Sequence, residues 1–466
     1  MYQDLQQKRN ALPPEYPNPL LDTIRSAIIK SDKTIVVLDD DPTGTQTSYD
    51  ATVITSWRPE EIKAELDKKP SVLFILTNSR SLPEKEAIIL SQDIGQNLNI
   101  AVKESAREIV VISRSDSTLR GHFPAEVDAL AETMGMGHAI RVLVPAFIEG
   151  GRYTIGDVHY LAENRQLIPV SDTSFARDKV FGYKNANLKN WVEEKTKGSI
   201  KAAEVISVSL EDIRIEGPEK VAGIFMSCKE GKVVIINAAG YRDLEVVALA
   251  SILAEQNGKT ILFRSSATFV PIRAGMKSGV PFKPSNPHQA KGSGSLIMVG
   301  SYVPKTTQQL NELLAEKTHN SIEVNVVAAL NEKERAETII EQINQWLAAD
   351  EKVLVFTSRT LQEGHDDESN LRINARISDF LVSIIKGITV RPRYILAKGG
   401  ITSSDLASKG LDVKSAKILG PVIPGVPVWQ LGAESRFPGM YYIVFPGNVG
   451  DESSLGKVCQ IMDGMN

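Results

Sequence analysis

The chain has 466 residues, of which 42% are hydrophobic and 24% charged, a composition that excludes a mainly disordered protein. Because a single hydrophobic core stops growing near ~250–300 residues, we expect two domains. The formal net charge of −4 gives no general attraction to nucleic acid or to an anionic membrane, and neither partner is expected.

The first thirty residues are predicted to form an arm followed by a helix. Residues 1–19 are polar and contain four prolines, which predicts an arm outside the core. Leu20, Leu21, Ile24 and Ile28 then fall on one helical face. The start has no apolar signal segment and no stretch approaches ~18 consecutive apolar residues. We therefore expect a cytoplasmic protein without a transmembrane helix.

Short apolar runs alternate with helical patterns over the first half, as is typical of a mostly parallel sheet flanked by helices. The predicted strands are Ile35–Leu38, Val72–Leu76, Ile109–Ile112, Val142–Val144, Val233–Ile236 and Ile261–Phe263. The clearest predicted helices are Glu84–Gln96 and Ala125–Thr133. Residues 171–199 are polar with scattered aromatic side chains, and a cap or lid over a cleft is one interpretation of them.

Residues 281–295 are rich in Pro, Gly and Ser and are predicted to be a linker. The alternation of strands and helices then restarts. The predicted strands are Leu296–Val299, Glu323–Val327, Val353–Phe356 and Tyr394–Leu396, with helices from Pro304 and near Ala336–Trp346 and Arg372–Ile385. The predicted organisation is an arm and helix (1–30), an α/β domain (31–280), the linker, and a second α/β domain (296–466).

Three polar segments follow predicted strands of the first half, where open α/β sheets bind their ligands. Asp39, Asp40 and Asp41 end the first strand, and three adjacent carboxylates need a compensating partner such as Mg²⁺, arginine or a substrate proton. The other two segments supply Arg80, Arg114, Asp116, Ser117, Thr118 and Arg120. Guanidinium groups suit a carboxylate and hydroxyls suit substrate hydroxyls. The segments predict a site for an anionic, hydroxyl-bearing small molecule.

Four turns of a different kind follow strands of the second half. They are Gly300-Ser301, Thr357-Ser358-Arg359, Gly399-Gly400-Ile401-Thr402 and Gly447-Asn448-Val449-Gly450. Glycine lets the backbone approach a phosphate, and helix N-termini direct N–H groups at it. The turns therefore favour a nucleotide site. The sequence contains no P-loop motif, no opening dinucleotide-binding motif and no nucleophile-elbow motif.

Together these motifs resemble the four-carbon acid sugar kinase family, whose members phosphorylate acids such as threonate, erythronate or 3-oxo-tetronate with ATP. The family motif D-D-x-T-G matches Asp40, Asp41, Thr43 and Gly44, and D-S-T-L-R-G matches residues 116–121. The glycine turns resemble the family's C-terminal motifs. The resemblance runs from about Thr34 to the C-terminus, and it implies that residues 31–280 bind the acid sugar and residues 296–466 bind ATP.

The resemblance also implies a role for each motif. Asp40 or Asp41 would accept the proton of the reacting hydroxyl, and no metal ligand is assigned, although Mg²⁺ is expected with ATP. The residues expected to bind the acid sugar are Asp39, Arg80, Arg114, Asp116, Ser117, Thr118 and Arg120. Those expected to bind ATP are Ser301, Ser358, Gly399, Gly400, Ile401, Thr402, Gly447 and Gly450. Asp39 and Arg114 depart from the family pattern, so the substrate is open within it.

Two alternative functions remain open at this point. Residues 39–43 also fit the D-x-D-x-T motif of haloacid dehalogenase-type phosphohydrolases, in which Asp39 would be the nucleophile. That interpretation leaves the second domain without a role. A non-catalytic metabolite-binding protein would share the two-domain layout but would not need the aspartate cluster. The sequence does not determine the oligomeric state, and a homodimer is one of the alternatives.

Overall fold

A computed structural model describes residues 2–277, 279–284, 291–359, 362 and 367–465, with residues 367–371 described by their backbone alone. The strands in chain order are β1 (Gln3–Asp4), β2 (Thr34–Asp39), β3 (Ala51–Ile54), β4 (Val72–Leu76), β5 (Ile109–Arg114), β6 (Ile140–Val144), β7 (Arg152–Ile155), β8 (Val158–Glu163), β9 (Gln166–Pro169), β10 (Ile206–Val208), β11 (Val233–Ile236), β12 (Ile261–Ser265), β13 (Ser295–Val299), β14 (Asn320–Val324), β15 (Lys352–Thr357), β16 (Tyr394–Lys398), β17 (Ser415–Ile423), β18 (Val426–Leu431) and β19 (Tyr441–Phe445).

The α-helices lie mostly between strands. In chain order they are α1 (Leu5–Asn10), α2 (Leu21–Ser31), α3 (Pro59–Leu66), α4 (Glu84–Ser105), α5 (Ala125–Thr133), α6 (Leu188–Lys195), α7 (Gly217–Ser227), α8 (Tyr241–Gln256), α9 (Phe269–Arg273), α10 (Pro304–Ala315), α11 (Val326–Leu330), α12 (Ala336–Ala348), α13 (Asp367–Gly387), α14 (Gly400–Asp405) and α15 (Ser454–Met462). No helix of the described residues is long and apolar enough to cross a membrane.

The elements form two compact units. Unit 1 comprises Met1–Asp40 and Trp57–Lys277, and unit 2 comprises Asp41–Ser56 and Ser278–Asn466. The predicted domain 31–280 therefore differs from unit 1, because the segment after Asp40 folds with the second half. There β3 pairs with β17, and Trp429 Nε1 donates to Thr45 Oγ1 over 3.1 Å. Of the predicted linker 281–295, residues 285–290 lie outside the described residues.

Unit 1 is built on a parallel sheet. Its strands follow one another in the order β10, β11, β6, β12, β5, β2, β4, and all neighbouring pairs are parallel. Their apolar runs are buried on both faces, as for Val36, Phe74 and Ile112, which are all 0% exposed. Because parallel strands end at one edge, the carboxyl ends of β2, β4, β5 and β12 lie together.

The N-terminal arm is packed onto unit 1, although none of residues 2–19 is buried. Strand β1 adds to a small antiparallel sheet in the order β1, β9, β8, β7. Leu5 and Leu12 pack against a cluster that contains Tyr153 and Leu167. Arg214 Nη1 donates to the Pro13 carbonyl over 2.7 Å. The apolar side chains of the arm thus find partners that are distant in sequence.

Unit 2 contains a mixed sheet. Strands β19, β16, β13, β15 and β14 are parallel in that order, and β18, β17 and β3 continue antiparallel beyond β19. The hairpin β17–β18 was not predicted. The predicted strand Glu323–Val327 is wrong at its C-terminal end, because Asn325 caps α11 by accepting from the Ala328 N–H. The predicted class, two α/β domains with mostly parallel sheets and flanking helices, is confirmed.

Candidate functional site

The first aspartate of the cluster lies in the core of unit 1. Asp39 ends β2 opposite Arg114, which ends β5 in register. Arg114 Nη1 donates to Asp39 Oδ1 over 3.0 Å, and the two side chains are 5% and 1% exposed. This geometry favours a structural role for both, in which the ion pair holds the ends of two central strands together.

We expect Asp39→Asn to lower the free energy of unfolding by about 3–5 kcal/mol, because it leaves the Arg114 guanidinium buried without its counter-charge. Urea denaturation monitored by circular dichroism measures the change. Asp50→Asn is the matched control, since it breaks an exposed ion pair with Lys417 and should leave the stability near wild type. Equal small losses in the two variants would contradict a structural role for Asp39.

Asp40 accepts hydrogen bonds on both carboxylate oxygens. Arg80 donates to Oδ2 through Nε over 3.2 Å and to Oδ1 through Nη2. Ser115 Oγ donates to Oδ2 over 2.6 Å and accepts from Arg264 Nη2 over 3.0 Å. Asp40 is 4% exposed, so its carboxylate is held in a fixed orientation. This environment suits an orienting carboxylate better than a proton acceptor.

Asp116 organises the loop after β5. Its Oδ2 accepts from Arg120 Nε over 2.9 Å and from the Thr118 hydroxyl. Arg120 also pairs with Asp178 over 3.5 Å. Burial opposes ionisation of Asp116, but the charges of Arg120 and Arg80 outweigh it and hold the pKa of this carboxyl well below its usual range. We call Asp40, Arg80, Ser115, Asp116, Arg120 and Arg264 the polar cluster of unit 1.

Residues 171–199, which the sequence left without an assignment, pack over the loop after β5. The Arg120 guanidinium lies 5.0 Å from the centre of the Phe175 ring, and Tyr183 Oη donates to the Thr118 carbonyl over 2.7 Å. Trp191, on α6, stacks on Phe123 with ring centres 4.9 Å apart. The aromatic side chains of this segment therefore belong to the wall of the polar cluster.

Sequence reasoning missed Glu126, Arg152, His159 and Arg264 in this region. Burial and the charge of Asp40 raise the pKa of Glu126 to about 7. Burial lowers the pKa of His159 to about 4, so the neutral ring donates from Nε2 to the Ser117 carbonyl over 2.7 Å. Arg264 follows the predicted strand Ile261–Phe263, so the strand-end rule that found the other segments would also have found it.

Asp41 lies in unit 2, so the chain passes from one unit to the other between two adjacent aspartates. Asp41 Oδ1 accepts from the Thr43 N–H over 2.8 Å. Its Oδ2 lies 2.7 Å from the position that a Cβ on Gly400 would take. Asp41 is therefore next to the glycine turn that follows β16.

The glycine turns of unit 2 converge on Ser301. A Cβ added to Gly399 would lie 3.0 Å from Ser301 Cβ, and one added to Gly447 would lie 2.9 Å from Ser301 Oγ. A Cβ on Gly300 would lie 2.2 Å from Thr402 Oγ1. Only glycine fits at these points without displacing a neighbour. We call Asp41, Gly300, Ser301, Gly399, Gly400, Thr402 and Gly447 the glycine cluster of unit 2.

Two basic residues that were not among those expected to bind ATP brace these turns. Lys398 is fully buried at the end of β16, and its Nζ donates to the Pro446 carbonyl over 2.7 Å. Burial and the charge of Lys305 lower the pKa of Lys398 to about 7. Arg359 Nη1 donates to the Ser301 carbonyl over 2.7 Å. Lys398 and Arg359 thus tie neighbouring strand ends together.

Three residues that were predicted to bind nucleotide are not part of the glycine cluster. Ser358 Oγ accepts from the Val326 N–H over 3.1 Å and so shapes the start of α11. Gly450 lies at the turn before α15, where an added Cβ would be 2.5 Å from Ser454 Oγ. Ile401 is 37% exposed. Ser358 and Gly450 therefore shape the backbone of their turns.

Comparison with known proteins matches both halves of the chain. Residues 35–272 match the family model of a sugar-binding N-terminal domain. Residues 296–455 match that of a nucleotide-binding C-terminal domain. The chain is 26% identical over 370 residues to the D-erythronate kinase of Heliobacterium modesticaldum, which covers 77% of each protein.

Two solved structures share the fold over nearly the whole chain. A Haemophilus influenzae protein aligns with a TM-score of 0.62 and 18% identity over 92% of this chain and 99% of its own. A Salmonella typhimurium LT2 protein aligns with a TM-score of 0.65 and 16% identity over 90% of this chain and 97% of its own. At these identities the likeness shows the fold.

Proposed function

Because the chain belongs to the four-carbon acid sugar kinase family, with a sugar-binding and a nucleotide-binding domain, we propose that it phosphorylates a four-carbon sugar acid with ATP. The name of the Heliobacterium modesticaldum relative makes D-erythronate the first substrate to test. The proposal rests on one observation, that the two units present different kinds of chemical groups. Unit 1 presents guanidinium, carboxylate and hydroxyl groups, and unit 2 presents glycine turns with hydroxyls.

The polar cluster of unit 1 suits a small acid with several hydroxyls. Arg80 and Arg120 are held by Asp40 and Asp116, so their positions are fixed before substrate binds. Carboxylate oxygens accept from substrate hydroxyls, and guanidinium groups donate to them. Because these groups are already ordered, little of the binding free energy is lost in fixing their positions.

The glycine cluster of unit 2 suits the phosphates of ATP. Gly300, Gly399 and Gly447 leave the backbone accessible beside Ser301 and Thr402, whose hydroxyls can donate to phosphate oxygens. In the described part of the chain no group of three or more His, Cys, Asp or Glu side chains could hold a metal ion by itself. Mg²⁺ is expected to bind with ATP, since it is usually held by one or two carboxylates together with substrate phosphates and neutralises charge on them.

The reaction needs a group that accepts the proton of the attacking hydroxyl. We assign that role to Asp41 rather than Asp40, because the Arg80 guanidinium binds both carboxylate oxygens of Asp40, whereas Asp41 lies next to the glycine turn that is expected to bind the phosphates. The hydroxyl oxygen forms a bond to the γ-phosphorus, the bond to the β–γ bridging oxygen breaks, and ADP leaves. Arg80 and Arg120 would balance the negative charge of the acid.

The phosphohydrolase alternative needs Asp39 as an accessible nucleophile. The side chain of Asp39 is 1% exposed and pairs with Arg114, which argues against attack on a phosphate ester. A metabolite-binding protein without catalysis would leave the glycine cluster of unit 2 without a use. The kinase accounts for both clusters.

The test is to incubate the purified protein with ATP, Mg²⁺ and a panel of four-carbon sugar acids, with erythritol as the polyol that lacks the carboxylate. We expect ADP release that depends on one or a few of the acids, with the phosphorylated acid identified by mass spectrometry. Erythritol should give only the background rate. The absence of acid-dependent ADP release, together with no rise in melting temperature on adding ATP, would contradict the proposal.

A further inference from the structure

One guanidinium of the polar cluster differs from the others in its charge balance. Arg80, Arg114 and Arg120 each form an ion pair with an aspartate. Arg264 is 5% exposed, and within the described residues no carboxylate lies within ion-pair distance of it. The charges of Asp40, Glu126 and Asp116 act on Arg264 from beyond contact distance. A ligand anion in contact with Arg264 would therefore be its first direct ion-pair partner among the groups described.

The way Arg264 is held leaves part of its donor set unused. Nη2 donates to Ser115 Oγ and to the Arg120 carbonyl, each over 3.0 Å. Among the described residues, Nε and Nη1 have no hydrogen-bond partner, and neither is completely enclosed by protein. Arginine does not lose its proton in proteins, so these N–H groups remain charged donors.

Aromatic rings hold the guanidinium in place of a carboxylate. Its central carbon lies 5.5 Å from the Phe123 ring centre and 5.8 Å from that of Trp191. The faces of aromatic rings attract a cation without neutralising it and without using its N–H groups. Arg264 is therefore fixed in orientation while its charge stays available to a ligand.

Its position links the arginine to the aspartate at the end of β2. Ser115 Oγ accepts from Arg264 and donates to Asp40 Oδ2 over 2.6 Å. A Cβ on Gly121 would lie 3.1 Å from Asp40 Oδ2 and 3.2 Å from Arg264 Nη2, so both groups border the same glycine. A ligand anion on Arg264 would be next to a fixed carboxylate that accepts from hydroxyls.

We propose that Arg264 binds the carboxylate of the substrate and makes the protein select an acid over an uncharged analogue. This inference rests on the proposed kinase function and names the residue that recognises the acid group. Arg80 and Arg120 bind hydroxyls or balance charge, because their own charges are already compensated by aspartates. Arg152 is the competing candidate, since it also has no ion-pair partner in the described part of unit 1, lies against the Phe147 ring and donates to a carbonyl, that of Gly150. What favours Arg264 is its link to Asp40 through Ser115 Oγ.

The test compares wild type with Arg264→Gln on the sugar acid and on the uncharged amide of the same acid. We expect the substitution to raise the KM for the acid by about 100-fold, the size of a lost charged hydrogen bond, and to raise the KM for the amide much less. The KM for ATP should stay within about twofold of wild type, because unit 2 is unchanged. A wild-type ratio of the two KM values in the variant would overturn the proposal.

Two further variants keep the test decisive. Arg152→Gln should keep the acid preference, and a loss of that preference in Arg152→Gln but not in Arg264→Gln would overturn the assignment. If Arg264→Gln does not fold, Arg264→Lys replaces it; the ammonium keeps the charge but lacks the planar fork, and the acid preference should fall by about 10-fold. An unchanged preference in Arg264→Lys would then count against the proposal.

Calorimetry separates failure of this inference from failure of the proposed function. If wild type phosphorylates no acid, the kinase proposal fails, and binding of D-erythronate and its amide to wild type and to Arg264→Gln is measured directly. Binding of the acid that is lost in the variant still supports the role of Arg264. Equal affinity of both proteins for the acid, or no binding to wild type, overturns it.

Discussion

Asp41→Asn is expected to lower kcat by about 10³-fold, within the range that a positioned general base contributes. The amide keeps the shape of the carboxylate but cannot take the proton of the attacking hydroxyl. The affinity for ATP, measured by calorimetry without the sugar acid, should change by less than about threefold. Turnover close to wild type would remove Asp41 from the proton transfer.

Asp40→Asn is the matched comparison for this prediction. Asp40 pairs with Arg80 in a buried setting, with the two side chains 5% and 16% exposed. Its replacement should lower the melting temperature as well as activity, whereas Asp41→Asn should leave the melting temperature near wild type. Loss of turnover in Asp40→Asn without loss of stability, beside an active Asp41→Asn, would reverse the two roles.

Gly300→Ala is expected to weaken ATP binding by about 10- to 100-fold through steric overlap. The added Cβ would lie 2.2 Å from Thr402 Oγ1 and 3.0 Å from Thr402 Cγ2, so the start of α14 has to move. The measurement is the dissociation constant for ATP, with the melting temperature as a second readout.

The control for this prediction is Gly223→Ala on α7, where the added Cβ meets no atom within 4 Å. That variant should bind ATP as wild type does. Adding Thr402→Ala to Gly300→Ala removes the two nearest atoms, leaves Leu381 Cδ1 as the nearest at 3.1 Å and should restore most of the melting temperature. Unchanged ATP affinity in Gly300→Ala would show that this turn does not contact the nucleotide.

Hydrophobic patterns were enough to locate most central elements. Val72–Leu76, Val233–Ile236 and Ala125–Thr133 have in the structure the bounds that their patterns predict. Each is a continuous buried strand or an amphipathic helix, so local sequence carries the signal. The hairpin β17–β18 was missed because Gly420, Pro421 and other turn residues interrupt its pattern, and its strands pair with irregular register.

The roles of the site residues were harder to predict than their positions. Asp39, Asp40 and Asp41 are three equivalent carboxylates in the sequence, yet the structure gives them three different surroundings. Asp39 meets Arg114, 75 residues away, and Asp40 meets Arg80, 40 residues away. Such pairings depend on which strands become neighbours, and strand order cannot be predicted from a local sequence pattern.

The same limitation explains Arg264. Its significance comes from what surrounds it, two aromatic rings and a serine hydroxyl, and these come from two separate segments, the loop after β5 and helix α6. A search for charged residues at strand ends would have found Arg264, but that no described carboxylate pairs with it directly is visible only in three dimensions.

The packing of the N-terminal arm also protects a sheet edge. Strand β1 pairs with β9 through Gln3 and Asp4, and the Leu5 N–H donates to the Arg165 carbonyl over 2.9 Å. Without the arm, β9 would present unpaired backbone groups beside newly exposed apolar side chains, the combination that invites strand addition by another chain. A version shortened by its first dozen residues would therefore be prone to self-association, so the full arm belongs in any protein prepared for crystallisation or assay.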